Sequence, residues 1–459
     1  MRTGSIVIGG IVPHPPIMVP EVGRGDAGEV RRTQEALREL GGMINRSGAA
    51  TMIFISPHGP VLWDAVGVVA TKELHGNLGR FGAPGVSFDL RTDTVLVDVL
   101  RQELLQIGVP GVEAGEGQGY RLDHGVTAPL YWLREGGVKL PVVVCGTALL
   151  ALHRLYGFGV AVQQAALKSG RKVAVIASGD LSHRLSPEAP NGYDPYGEVF
   201  DRRMQEIIGA ADVRALMKLD PVLVERAGEC GYRPIIMLFG ALEGLKVKPA
   251  VLSYEGPFGV GYMVAGLVPE GEDENRRIYE DLLKEAEARR AKEGFLVRLA
   301  RKAIRAYLEE GERVQAETVP PEFSGQAGVF VSLKKGTFLR GCIGTISPTR
   351  SNIVEEVIEN AIGASTRDPR FDPVRASEIE DLSISVDVLG RPEPVSGLDE
   401  LDPKRYGVIV SRRLRKGLLL PDLEGVDTPD RQVAVARQKA GIGPDEPVKL
   451  ERFEVKRYF

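Results

Sequence analysis

Residues 172–183 read KVAVIASGDLSH. Lys172 to Ser178 is an apolar run of strand length, rich in β-branched residues and closed by a glycine. A short polar loop then ends on His183. The same grammar occurs twice upstream. Ile6 to Val12 runs into Pro13-His14-Pro15-Pro16, and Thr51 to Ser56 runs into Pro57-His58-Gly59-Pro60. Helical patterns separate these runs. Glu29 to Ile44 places Val30, Leu37, Leu40 and Ile44 on one side. Thr94 to Ile107 and Val160 to Ser169 are further predicted helices. Leu140 to Cys145 is another strand, Pro234 to Leu245 an apolar helix, and Gly261 to Val268 a last strand. Strands alternating with helices predict a layered α/β domain with a mainly parallel central sheet. In such sheets the crevice beyond the carboxyl ends of the strands is the usual site.

That placement gives the histidines meaning. The chain has six, all within its first 183 residues. His14, His58 and His183 each follow a predicted strand, so they converge if the strands are parallel. Prolines around His14 and before His58 restrict those loops. His124, in Leu122-Asp123-His124-Gly125-Val126, precedes a predicted helix and is expected to join them. His75, in a predicted loop, and His153, at a helix start, lack this placement and are read as structural. Two imidazoles and one carboxylate form the facial arrangement of non-haem Fe(II) oxygen chemistry. The segment Ala227-Gly228-Glu229-Cys230-Gly231-Tyr232-Arg233-Pro234 offers the third ligand twice. Glu229 is a hard carboxylate, and Cys230 is a soft thiol suited to copper or zinc.

Composition narrows the classes. The 459 residues carry 58 Lys+Arg against 62 Asp+Glu, a net charge of −4, so there is no specific nucleic-acid signal. Three cysteines, Cys145, Cys230 and Cys342, form no C-x-x-C pair and suggest a reducing compartment. The start lacks the apolar core of a signal peptide, and no run is long enough for a membrane span. A cytoplasmic protein is expected. No G-x-S-x-G, H-E-x-x-H or P-loop pattern occurs. Gly115-Glu116-Gly117-Gln118-Gly119 is read as a flexible loop, a lid near His124.

The segment 270–293 is dense in charge and reads as a linker running into an exposed helix. From Phe295 the pattern changes. Phe295 to Leu308 is an amphipathic helix. Gly328 to Leu333 and Phe338 to Ile346 flank Lys334-Lys335-Gly336 as a hairpin. Ile353 to Ala364 and Asp430 to Ala440 are helices, Leu382 to Leu389 a strand, and Tyr406 to Leu420 a second hairpin. Val448 to Tyr458 reads as a single edge strand. This predicts a smaller α+β domain. Leu339-Arg340-Gly341-Cys342-Ile343-Gly344 puts an arginine two residues from a lone thiol, where it would favour thiolate. Asp368-Pro369-Arg370-Phe371-Asp372-Pro373 is a second rigid, charged loop.

The motifs at His14, His58, Asp123-His124-Gly125, Ser178 to His183 and Gly228 to Pro234 come in an order that resembles the LigB superfamily of extradiol ring-cleaving dioxygenases and its relative Memo. The resemblance covers residues 1–268. It implies Fe(II) held by His14, His58 and Glu229, with a catechol-like or other O2-reactive small molecule and O2 as substrates. His183 matches the family's acid/base, and His124 a histidine that contacts substrate. Memo-like relatives place a cysteine at the third ligand. That alternative points to Cys230, to copper or zinc, and to a metal-binding interaction or substrate-presenting module without ring cleavage. The hexapeptide around Cys342 and the loop around Arg370 resemble the AMMECR domain family over 295–459, which implies a cleft near Arg340, Cys342 and Arg370. Residues 269–294 join the two. Both resemblances in one chain are similar to the AmmeMemoRadiSam modification system. The chain has no C-x-x-x-C-x-x-C cluster motif, so a radical SAM partner would be a separate protein. Cys342 as an acceptor or nucleophile in a protein- or RNA-modifying system is a third reading.

Overall fold

The computed structural model describes residues 4–115, 120–316, 318–336, 338–423 and 425–459. Contacts divide the chain into one unit ending at Ala288 and another beginning at Arg289. The boundary falls inside the charged helix Tyr279–Ala291, which has no fully buried residue. Among the described residues, no helix is long and apolar enough to cross a membrane.

The first unit is built on an eight-stranded sheet. Its strands are β1 (Ser5–Val12), β2 (Thr51–Ser56), β3 (Val66–Val69), β4 (Gly111–Ala114), β5 (Val142–Gly146), β6 (Lys172–Ser178), β7 (Leu245–Glu255) and β8 (Tyr262–Glu272). The order is β7-β8-β1-β6-β2-β5-β3-β4. The four central strands β1, β6, β2 and β5 are mutually parallel. They read as continuous apolar runs because both faces are covered. In β2, Ile53 and Ile55 enter one core while Met52 and Phe54 enter the other. The helices Thr94–Ile107, Leu152–Ser169, Pro195–Ala210 and Tyr232–Ala241 fill the first face. Arg31–Arg46 and His124–Glu135 fill the second. β1, β2 and β6 therefore deliver their carboxyl ends side by side.

Several strands escaped the sequence reading, among them β3, β4, β7 and Glu73–Leu78. β7 contains Pro249, an argument against a central strand, but β7 is the sheet's edge, where a missing N–H is tolerated. The strand Glu73–Leu78 was read as a loop because Gly76 interrupts a short alternation. It pairs with Ala83–Arg91 in a small separate sheet. His75 sits there on the exposed side, 2.6 Å from Asp89 Oδ1, far from any strand-end role. Of the expected lid, residues 116–119 lie outside the described residues.

In the second unit, the helices Phe295–Glu310 and Ile353–Thr366 cover one face of an antiparallel sheet. Its order is Phe338–Gly344, Val329–Lys335, Ser383–Leu389, Val455–Tyr458. A second sheet runs Glu393–Val395, Lys449–Phe453, Gly407–Arg412, Arg415–Leu419 and packs on the helix Pro429–Ala440. The single C-terminal strand expected from alternation is two. Lys449–Phe453 belongs to one sheet and Val455–Tyr458 to the other. Alternation continues through Glu454, so the pattern carries no mark of the switch.

Candidate metal centre

β1 ends at Val12 and β6 at Ser178, paired in register. Two residues past each, His14 and Asp180 meet. The His14 N–H donates to Asp180 Oδ1 at 2.9 Å. His14 is 2% exposed, so its ring must be satisfied internally. Its Nδ1 lies 3.0 Å from Ser178 Oγ, whose own proton goes to the Gly125 carbonyl at 2.6 Å. Ser178 can then only accept from the ring. Nδ1 of His14 is therefore the donor to Ser178, and Nε2 faces the site. This is the tautomer and second-layer support that metal-bound imidazoles use. Replacing Ser178 with alanine is expected to weaken metal binding by about 10–100-fold, the usual cost of such a partner. Isothermal titration of the metal-free protein reads it.

His58 approaches from β2, its backbone fixed by Ser56 Oγ at 3.2 Å, which is itself bonded to Asp123 at 2.7 Å. Its Nε2 is 3.0 Å from His14 Nε2. The Cys230 Sγ completes the set at 3.6 Å from His14 Nε2. Two nitrogens and a sulfur bonded tetrahedrally to one ion at about 2.0 and 2.3 Å would stand about 3.3 and 3.5 Å apart. Among the described residues, the triplets of donor atoms within 4.8 Å of one another are His14/His58/Cys230 and Asp180/His183/Cys230. His124 and Glu229 belong to neither. The His124 ring stacks on His58 with centroids 4.2 Å apart and meets Phe81 edge-on at 5.4 Å. It lines the site beside the two triplets.

Adjacent in sequence, Glu229 and Cys230 diverge. The Glu229 carboxylate turns back to accept the Tyr232 N–H at 2.5 Å, at the start of the helix Tyr232–Ala241. Burial pushes its carboxyl up to about 7 against that bond and the nearby Arg233 charge. Cys230 is held the other way. Its sulfur accepts the Asp180 N–H at 3.2 Å, and the Cys230 and Gly231 N–H groups donate to the Asp180 carbonyl at 3.3 and 3.0 Å. This docking needs two glycines, since a Cβ on Gly179 would lie 2.2 Å from the Gly231 Cα. The facial triad of two histidines and Glu229 is therefore not assembled. The donors present fit a borderline or soft transition metal rather than the hard-donor iron site.

Asp180 is the residue that sequence reasoning quoted without a role. Its Oδ2 lies 3.7 Å from His183 Nε2 and 3.9 Å from His14 Nε2. Burial raises its carboxyl, but the charges and hydrogen bonds of His14 and His183 win and hold it below the carboxylate range. His183 is fixed through its loop. Its N–H donates to the Ala227 carbonyl at 3.1 Å, and the Ser182 N–H to Asp201 at 2.8 Å. Burial, then the charges of His14 and His124, lower His58 to about 3, so it is neutral and ready to ligate. Burial likewise lowers His124. The Cys230 thiol goes well up, by burial and then by Asp180 and Glu229.

In the second unit the hexapeptide 339–344 is mostly structural. Arg340 is the extra residue of a bulge, because Leu333 pairs with Gly341 and Lys334 with Leu339. The bulge breaks the alternation that would aim Arg340 with Cys342. Its guanidinium goes instead to both Glu378 oxygens at 2.9 Å and to the Asp372 and Pro373 carbonyls. The expected influence of Arg340 on the thiol is thus replaced by a buried ion pair. Gly341 admits the helix Ile353–Thr366, since a Cβ there would meet the Ala364 oxygen at 2.1 Å. Asp368 takes the Cys342 N–H at 2.8 Å, and Arg370 donates to the Cys342 carbonyl at 3.3 Å. Together they close this edge of the sheet.

Residues 10–265 match the family described as the catalytic LigB subunit of aromatic ring-opening dioxygenase, and residues 297–458 match the AMMECR1 family. Protein CA_C1420 of Clostridium acetobutylicum is 39% identical, covering 98% of both chains. A Thermotoga maritima protein is 49% identical over 35% of this chain and 95% of its own length. Two crystal structures are similar in part. The uncharacterized protein PH0010 of Pyrococcus horikoshii is 37% identical, covers 36% of this chain and 88% of its own, and gives a TM-score of 0.34. The uncharacterized protein JW3007 of Escherichia coli K12 is 15% identical, covers 57% and 99%, and gives 0.38. The chain belongs to the LigB family through its first unit and carries an AMMECR1 domain in its second.

Proposed function

We propose that the first unit is a transition-metal site with His14, His58 and Cys230 as ligands, serving as a metal-binding module rather than an extradiol ring-cleaving iron centre. The observation that carries this is the position of the Cys230 sulfur, 3.6 Å from His14 Nε2, while Glu229 caps a helix. A thiolate among imidazoles favours copper or zinc. Metal content after loading with Fe(II), Cu(I) and Zn(II) in parallel, with competing chelators, tests it. A preference for Fe(II) that is lost in Glu229→Gln would sink it. Because the thiol is protonated at neutral pH, each ion captured should release one proton from Cys230. Affinity should then rise about tenfold per pH unit through the neutral range. Calorimetry in buffers of different ionisation enthalpy counts that proton.

The second reading keeps oxidoreductase chemistry of the dioxygenase type, with O2 and a catechol-like substrate. It is favoured by His183, which pairs with Asp180 at 3.7 Å and stays 22% exposed, as a proton-transferring group must. In that reading His183 takes a substrate proton while Asp180 holds the ring, and His124 contacts the substrate. Oxygen uptake with a catechol panel decides between the readings. Uptake abolished in His183→Ala with metal retained supports the enzyme. No uptake, with thiol-dependent metal binding, supports the module. The AMMECR1 unit in the same chain supports reading the module as part of an AmmeMemoRadiSam-type system, with a radical SAM protein as a separate partner. Co-purification from a cell expressing both tests that pairing.

A further inference from the structure

The ligand set His14, His58 and Cys230 leaves one buried charge of the first unit unused. Asp180 is 6% exposed. Its Oδ1 accepts the His14 N–H at 2.9 Å. Its Oδ2 faces two ring nitrogens, His183 Nε2 at 3.7 Å and His14 Nε2 at 3.9 Å. Both separations exceed an ordinary hydrogen bond. A buried carboxylate oxygen is costly to leave without a close partner. This one is aimed at something the protein alone does not supply.

The Cys230 sulfur belongs to both donor triplets, His14/His58/Cys230 and Asp180/His183/Cys230. In the second, Sγ lies 3.9 Å from His183 Nε2. The two triplets differ in shape. An oxygen, a nitrogen and a sulfur spread flat around one ion, at about 2.1, 2.1 and 2.3 Å, would put O and N about 3.6 Å and N and S about 3.8 Å apart. The observed 3.7 and 3.9 Å fit that flat spread. The first triplet fits three corners of a tetrahedron. One ion cannot take all five donors as they stand. Two ligands of a single ion are at most about 4.5 Å apart, and the five atoms do not form one group within 4.8 Å. A shared sulfur removes the conflict. Two ions about 3.5 Å apart, each about 2.3 Å from that sulfur, subtend about 100° at it.

We propose that the centre holds two ions, with Cys230 bridging the ion of His14 and His58 to a second, zinc-type divalent cation held by Asp180 and His183. One carboxylate oxygen, one imidazole and one thiolate suit a borderline cation. The flat donor set leaves positions open to a water or a ligand oxygen, and His183, 22% exposed, borders them. In this site His183 is a ligand rather than a proton carrier. The inference rests on the reading of Cys230 as a ligand. The proton that capture releases from Cys230 leaves with the first ion, since the shared sulfur is deprotonated once.

Titration of the metal-free, full-length protein with Co(II) tests this, followed by metal analysis and electron paramagnetic resonance. Two ions per chain are expected. The second should quench the resonance signal of the first, because ions on one sulfur couple magnetically. That readout needs no variant. His183→Ala and Asp180→Asn should each reduce two ions to one, and the Asn keeps an oxygen for the His14 N–H. The affinity of the remaining ion should fall by less than about tenfold, below the cost of losing a support behind a ligand. One ion per chain in the unmodified protein, or two whose signals simply add, overturns the proposal and leaves the first site standing. So do two ions that both survive His183→Ala. No bound ion at all, or full binding in Cys230→Ser, overturns the reading of Cys230 as well.

Discussion

Replacing Cys230 with serine is expected to lower affinity for zinc or copper by more than about 100-fold, while Glu229→Gln leaves both affinity and stoichiometry nearly unchanged. Loss of a partner behind a ligand already costs about 10–100-fold, and loss of a ligand itself costs more. A serine hydroxyl keeps the volume of the thiol but is a poor donor to a soft ion. The fold should survive, since the docking of the two loops uses the backbones of Asp180, Cys230 and Gly231 rather than the sulfur alone. The contrast between neighbours is the test. Glu229 bonds to the Tyr232 N–H, so its loss should appear as reduced stability of the helix Tyr232–Ala241. Metal titration and thermal unfolding on the same two variants separate the outcomes. Equal metal loss in both, or loss in Glu229→Gln alone, would return the third ligand to the carboxylate.

Glu378→Ala should destabilise the second unit by about 3–5 kcal/mol, the cost of stranding buried charge. Glu378 is 1% exposed and holds two cations at once, the Arg340 guanidinium at 2.9 Å and the Lys335 ammonium at 3.2 Å. Lys335 is itself 1% exposed and Arg340 5%. Without the carboxylate, both buried cations lose the counter-charge that Glu378 supplies. The pair also fixes the bulge at Arg340, so hydrogen exchange should quicken along Phe338–Gly344. Both tryptophans, Trp63 and Trp132, lie in the first unit. Tryptophan fluorescence should therefore stay silent, and the loss should be read by exchange in peptides spanning 329–344. A change below about 1 kcal/mol would mean that the cations find water, as surface pairs do.

The parallel sheet was legible because β1, β2 and β6 are buried on both faces, which forces continuous apolar runs that few other structures produce. Their loop histidines were legible for the same reason, as strand ends in a parallel sheet share one edge. Edges and switches were not. Pro249 and Gly76 mark strands only once their neighbours are known. The break at Glu454 depends on which sheet offers a partner, a property of distant residues.

The amino-acid sequence by itself determined that His14, His58 and His183 meet at one end of an α/β sheet, that Glu229 and Cys230 compete for the third place, and that a second, α+β unit begins near Phe295. Only the tertiary structure shows which of the two lies beside the histidines. Neighbouring residues in an irregular loop have no fixed relative direction, and the contact of Gly179 with Gly231 turns the sulfur inward and the carboxylate toward the helix. It also decided that Arg340 serves Glu378 rather than Cys342, because one bulged residue reverses the side on which a strand presents its side chains.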